Sequence, residues 1–407
     1  MNFVDNSLYN IKSSVDGKRY SLFELATWKN GLAFKKINFC ETCVPVIKIA
    51  ELNNGIGGTT AYTQQTFSED VHLCKGDLLF SWSGNPQTSI DIFRFNLDEG
   101  WLNQHIFKVT PNEKTVDRDY FYFLMKNLKP HFTQIATNKQ TTGLGHVTIA
   151  DIKRMSIVIP SLDVQREIVS YIKPIDDKIE LNNEINNNLE QQAEAIFQSI
   201  LSNAITTVNL GEIADVKGGK RLPKGVNLID IPNAHPYIRV RDLNNALFAS
   251  LTPNYAYVDK ETQKSISRYI VSTGDVLISI VGTIGLTAIV DSTLDKANLT
   301  ENCVKVTNLK HITPEYLLLY LRSQLGREAI AKGTVGAVQQ KLPIKNIQAI
   351  PIPLLSEKDK NALFCTLDSI FAGISNNVIQ SAKLASLRDT LLPRLMSGEL
   401  DVSDIDH

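Results

Sequence analysis

The sequence predicts an α+β protein built twice. Each copy is a globular unit followed by a long helical arm, and the two arms pair antiparallel about a pseudo-twofold. Three observations predict this: a 3.5-residue apolar repeat in two stretches, its recurrence at a constant offset, and a parallel recurrence of short motifs between the stretches.

The first stretch carries Ile168, Ile172, Ile175, Ile179, Asn182, Asn186, Leu189, Ala193, Ile196 and Ile200 in an unbroken 4-3-4-3 spacing. Shifted by 195 positions, the frame returns as Leu363, Leu367, Ile370, Ile374, Asn377, Ser381, Leu384, Arg388, Leu391 and Leu395. Asn182 matches Asn377, and Asn186 matches Ser381, so the polar interruption is shared. A polar residue in such a seam costs stability and fixes register and partner number. Pro174 is expected to kink or divide the first arm, because an interior proline removes a backbone bond and crowds the preceding turn. The second arm has Ser369 there and is expected to run straighter.

The globular copies announce themselves in order. Residues 1–20 read as a polar lead-in. Leu22-Phe-Glu-Leu-Ala returns as Leu210-Gly-Glu-Ile-Ala, and Lys48-Ile-Ala-Glu-Leu-Asn-Asn as Arg239-Val-Arg-Asp-Leu-Asn-Asn. Lys75-Gly-Asp-Leu-Leu-Phe-Ser returns as Thr273-Gly-Asp-Val-Leu-Ile-Ser, a Gly-Asp turn opening a short apolar strand. Ile106-Phe-Lys-Val returns as Cys303-Val-Lys-Val. Helices over Tyr120 to Leu128 and Tyr316 to Leu325 lead to glycine-bearing loops at 142–146 and 333–341. Each copy closes on a strand ending in proline, IVIP at 157–160 and IPIP at 350–353, and Ser356 with Asp359 caps the second arm. The expected boundaries are 1–160, an arm at 161–203, 204–355, and an arm and tail at 356–407. Framework positions match between copies and the loops do not, which describes one scaffold carrying two binding surfaces.

With 407 residues, 43% hydrophobic and 21% charged, the chain is ordinary globular material of two or more domains. No uninterrupted apolar run approaches the roughly 18 residues of a membrane span, the N-terminus lacks a signal-peptide layout, and five scattered cysteines form no disulfide framework. A cytoplasmic, membrane-free protein is expected. The net charge of -1 conceals segregation. Lys217, Lys220, Arg221, Lys224, Arg239 and Arg241 face only Asp230 across 216–241, whereas six acids face only Lys178 across 176–194.

Catalytic signatures are absent. There is no phosphate-binding loop, and GIGG (55–58) and GTIG (282–285) lack the dinucleotide spacing. Asn85-Pro86-Gln87 is a strand-end turn without a cofactor loop before it. Cys40, Cys43, His72 and Cys74 could form a zinc set, but the second copy has no equivalent, so incidental cysteines are the plainer reading and no metal is assigned. Asp176-Asp177-Lys178 reads as a solvated helix face. Binding chemistry remains: Lys35, Lys36, Lys139, Thr141, Thr142, Lys217, Lys220, Arg221, Lys224, Arg241, Thr283, Gln339, Gln340 and Lys341 sit in or beside glycine-bearing loops and can meet phosphates and base edges.

These pieces in this order resemble the specificity subunit of type I restriction–modification systems. The residues that carry the resemblance are LGEIADVKGG (210–219), RVRDLNN (239–245), IPIPLLSEKDK (350–360) and LRDTLLPRLMSGEL (387–400), with IVIPSLDVQREI (157–168) in the first copy. WKNGLAFKK (28–36) is a looser match. The resemblance implies two target-recognition domains held apart by the helical pair, each reading half of a bipartite site in the major groove of double-stranded DNA. It implies that the helices dock two adenine-N6 methyltransferase subunits and that a restriction/translocase subunit can join. Catalysis, S-adenosylmethionine, ATP and magnesium would belong to those partners, with no cofactor on this chain. A protein–protein scaffold without DNA specificity remains the alternative, and a self-sufficient DNA enzyme a third reading.

Overall fold

The computed structural model describes residues 6–11, 14–34, 39–140, 143–243, 246–252, 255–336 and 339–400. The chain divides into two compact units, Met1–Glu180 with Ser381–His407, and Leu181–Gln380. Both long helices, α1 (Leu162–Leu201) and α2 (Glu357–Ser397), therefore contribute to each unit. The helices begin at Leu162 and Glu357, and the arms are not separate bodies. Each half-arm is part of a globular core: Ile168, Ile172, Leu392 and Leu395 belong to the first, and Ala193, Phe197, Leu363 and Leu367 to the second.

In the first unit a four-stranded antiparallel sheet is formed by β1 (Ala26–Asn30), β2 (Leu78–Ser81), β3 (Asp91–Arg94) and β4 (Ile106–Pro111), in the order β1-β4-β2-β3. The second unit repeats it with β5 (Asp215–Gly218), β6 (Val276–Ser279), β7 (Thr287–Val290) and β8 (Cys303–Thr307), in the order β5-β8-β6-β7, with Phe248–Ala249 added parallel to β7. Both sheets are built on the Gly-Asp turns read from sequence. Gly76 and Gly274 take positive φ of 94° and 87°, which glycine alone adopts freely. The following aspartates accept from Cys74 N and Ser272 N at 2.9 Å and pair with lysines on the neighbouring strand, Lys108 with Asp77 and Lys305 with Asp275. The proline-ended strands close each unit as ribbons, Lys18–Ser21 with Ser156–Ile159 and Thr206–Asn209 with Pro351–Leu354.

Four expectations need correction. The lead-in is not merely polar, because Leu8 and Tyr9 are buried in the first core and Tyr9 Oη donates to Asp151 at 2.9 Å. Each expected single helix is a pair, Arg118–Asn127 with Lys129–Asn138 and Pro314–Arg322 with Gln324–Gly333; Ser323 ends one and caps the next, its Oγ accepting from Gly326 N. Pro174 does not divide α1, which runs unbroken for 40 residues with the proline facing solvent, and α2 contains a proline of its own, Pro393. Finally, an 18-residue window of α2 reaches a mean hydropathy of 1.3, apolar enough for a span by composition. Four apolar residues of that helix, Leu363, Leu367, Phe371 and Ile374, are buried in the second core.

The seam itself holds. Ile168, Ile172, Asn182, Ala193, Leu363, Leu367, Ile374 and Leu395 are buried, and Ile175, Ile179, Leu189, Ile196, Ile370, Asn377, Leu384 and Leu391 are half-buried; none is exposed. The helices pair antiparallel, for Asn182 Nδ2 donates to Gln380 Oε1 and Asn377 Nδ2 to Asn186 Oδ1, both at 2.9 Å. Two members of the shared polar interruption, Asn186 and Asn377, thus meet across the pair, and Asn182 meets Gln380 beside the frame, bonds that favour one register. Replacing the half-buried Asn186 and Asn377 together by Leu should raise stability by roughly 1–2 kcal/mol, because a polar pair at a seam position costs stability. A lower melting temperature in thermal unfolding would contradict that. The frame understates the buried face: Phe197, Phe371, Leu392 and Met396 lie beside it, turned into the globular cores.

Candidate nucleic-acid interface

In the second unit the antiparallel sheet brings one set of loops to a single end. β5 ends there at Gly218 and β6 at Ser279, while β7 begins at Thr287 and β8 at Cys303. The loop after β5 is drawn across this end by Gly219 N→Cys303 O at 3.0 Å and Lys220 N→Leu299 O at 2.8 Å. Ile280 N donates to Asn302 O at 2.8 Å, and Val281 bridges Lys341, which also bridges Val335. The described residues of the loops at 219–225, 280–286, 300–302, 334–336 and 339–342 therefore form one surface.

Most basic residues read from sequence reach that surface. Lys220 and Lys224 are exposed, with the Lys220 ammonium 5.5 Å from the centre of the Tyr269 ring. Arg221 is exposed and donates to Glu301 Oε1 at 2.8 Å, a bond that holds its guanidinium above its ordinary pKa. Burial would raise Glu301, but its bonds from Arg221 and Thr300 outweigh that and hold it below the usual range. Thr283, Gln339, Gln340 and Lys341 are exposed on the adjoining loops. Arg241 is exposed on a turn next to the strand that ends at Ile238, whose carbonyl accepts from Thr300 N. Lys217 lies at the strand margin, paired with Asp215 at 3.1 Å.

Two charges are engaged by carboxylates of the protein instead. Lys139 pairs with Asp151, a buried carboxylate that also accepts from Tyr9 and Thr148. Burial alone would raise the Asp151 pKa, and these bonds together lower it. Lys139 is therefore first of all a counter-ion for a core carboxylate. Arg239 is clamped by Asp242 at 2.8 and 2.9 Å. Lys35, Lys36, Thr141 and Thr142 lie outside the described residues.

The first unit repeats the frame with different chemistry. Gly31 N donates to Ile106 O, Leu32 N to Leu102 O and Trp82 N to His105 O, and Ser83 bridges His146, bond for bond the pattern at Gly219, Lys220, Ile280 and Val281. Around it lie Trp82, whose Nε1 donates to Asn30 Oδ1 at 3.1 Å; Gln104 and His105, 3.2 Å apart; and His146, whose Nδ1 is 2.9 Å from Ser83 Oγ. The Trp82 ring sits 5.6 and 5.9 Å from the His105 and His146 rings. Sequence reasoning passed over this group because it sought basic residues. The repeat would have found it, since these residues stand where Ile280, Glu301, Asn302 and Lys341 stand in the second copy.

The zinc set does not assemble. Cys40 and Cys43 are bonded to each other as a disulfide, and among the described residues no three His, Cys, Asp or Glu side chains converge on a metal position.

A family model described as the type I restriction modification DNA specificity domain matches twice, over residues 15–191 and 204–383. The chain belongs to the type I restriction–modification specificity-subunit family. As such a subunit it is 22% identical to the EcoBI specificity subunit of Escherichia coli, over 94% of this chain and 86% of that one. It is 23% identical to the HindI specificity subunit of Haemophilus influenzae, over 80% and 87%. The solved S subunit from M. genitalium shares its fold, with a TM-score of 0.54 at 15% identity over 95% of this chain and 99% of that chain. The two family matches in this specificity subunit follow the duplication, each taking one globular copy and part of the following helix.

Proposed function

We propose that this specificity subunit reads a bipartite site in double-stranded DNA, one part with the strand-end surface of each copy, and performs no chemistry itself. Two adenine-N6 methyltransferase subunits would dock on it, a restriction/translocase subunit could join, and S-adenosylmethionine, ATP and magnesium would be bound by those partners in the cytoplasm. The observation that carries the reading is the identical backbone frame at two strand ends with unlike side chains on it. A scaffold that only held proteins together would have no use for loop-borne Lys220, Lys224 and Lys341 beside Gln339 and Gln340 on one surface.

The test is binding of duplex DNA as a function of salt, with the methyltransferase partner present. Each phosphate contact contributes about 0.9 to the slope of log K against log salt. Lys220→Ala should weaken binding to all sequences and lower that slope by about one unit. Salt-independent association, or none, would leave the chain a protein scaffold. Sequencing the methylated sites would show whether two separated half-sites are read.

A further inference from the structure

We infer that the first copy selects its bases through a set without lysine or arginine, Gln104, His105 and His146 around the Trp82 ring, whereas the second leans on cations at the matching places. This rests on the proposed DNA-reading function and names the residues that would decide one half of the specificity.

Backbone equivalence makes the comparison position by position. Leu32, 37% exposed, stands where Lys220 stands; Gln104 replaces Glu301, His105 replaces Asn302, and His146 replaces Lys341. At the matched positions the described part of the first copy thus has neither lysine. A surface that lacks fixed cations at its centre gains little there from phosphates, and hydrogen bonds to base edges discriminate without needing net charge. The side chains suit purine edges in the major groove: an amide gives one donor and one acceptor to adenine N7 and N6, and an imidazole N–H donates to guanine N7 or O6. Ser83 and Gln104 fix the two imidazoles from one side. His105 Nδ1 is enclosed and meets no hydrogen-bond partner among the described residues. An unmet ring nitrogen is costly, so a small rotation that gives it a base-edge partner is favourable.

The experiment uses the chain with its methyltransferase partner, and reads methylated sites by sequencing alongside duplex binding at several salt concentrations. Gln104→Ala should relax preference roughly tenfold at one or two adjacent positions of one half-site, as loss of a bidentate base contact does. The other half-site and the salt slope should stay as in the unaltered chain. Gln104→Glu keeps the shape but replaces the amide donor by an acceptor, so it should shift preference from adenine towards cytosine, whose amino group is a donor. Lys341→Ala should instead lower the slope. Unchanged base preference in both Gln104 variants, or a uniform loss of affinity with a lower slope, would overturn the inference. Failure of the unaltered complex to methylate any defined sequence would overturn the DNA-reading function beneath it.

Discussion

Gly219→Ala is expected to unseat the second reading surface while leaving the first intact. A Cβ at Gly219 would lie 2.0 Å from Thr300 O and 2.5 Å from Leu299 O. Both are backbone atoms of a segment pinned by Thr300 N→Ile238 O and Cys303 N→Thr300 O, so neither can swing away as a side chain could. The φ of Gly219 is not the difficulty; the closeness of the two chain segments is. Relief requires the 219–225 loop to lift, which sacrifices Gly219 N→Cys303 O and Lys220 N→Leu299 O and carries Lys220, Arg221 and Lys224 with it. Overpacking a rigid site costs about 1–3 kcal/mol, and the broken bonds put this one at about 3. That corresponds to a melting shift of roughly 6–12 °C for a unit of about 200 residues. All three tryptophans, Trp28, Trp82 and Trp101, lie in the first unit, so their fluorescence should report an unchanged transition while circular dichroism reports an earlier one. Methylation should retain one half-site and lose definition in the other. Normal melting by both probes, with both half-sites intact, would mean that the loop does not need the close approach. Gly31 has the same constraint in the first unit, 2.2 Å from Asn103 O.

That pair of glycines marks what a sequence can disclose about this fold. Positions fixed by backbone geometry recur in both copies because a close approach or a positive φ there disfavours a side chain, and so the duplication was legible at Gly76-Asp77 and Gly274-Asp275. The helical seam was legible because a 3.5 period survives polar interruptions. Partners of charged residues were not legible. Nothing local distinguishes Lys139, paired with a buried Asp151, from Lys220, whose ammonium lies over the Tyr269 ring, for both are exposed. Periodicity also failed wherever a helix buries two faces, as with Phe197 and Phe371. The reading residues of the first copy were hidden for a third reason: indole, imidazole and amide groups carry no charge pattern, and only the matched frame gives their positions meaning.

Asp176 was the clearest misreading, and replacing it should have the second large effect. Read as a solvated helix face, it is instead only 15% exposed and accepts from Arg388 at 2.8 Å and from Arg94 at 3.5 Å. The cause lies in Arg388, a cation at a seam position, and in β3, which brings Arg94 over the Tyr122 ring to the same spot. Burial pulls the Arg388 pKa down, and its bonds to Asp176 and Asp389 more than restore it. Asp176→Asn keeps the shape and leaves two half-buried guanidiniums facing one another. Removing one member of a buried ion pair costs about 3–5 kcal/mol. Arg94 retains Asp119 and Arg388 retains Asp389, so roughly 2–4 is expected here. Tryptophan fluorescence should follow this loss directly, because the first unit is the one affected. Asp176→Leu combined with Arg388→Leu should recover most of the stability, since an apolar pair at a seam position replaces an ion pair at little net cost. The two single substitutions would then sum to far more than the double, a coupling of the kind that contacting residues show. Additive losses, or an Asp176→Asn variant that unfolds like the parent, would return Asp176 to the solvated surface.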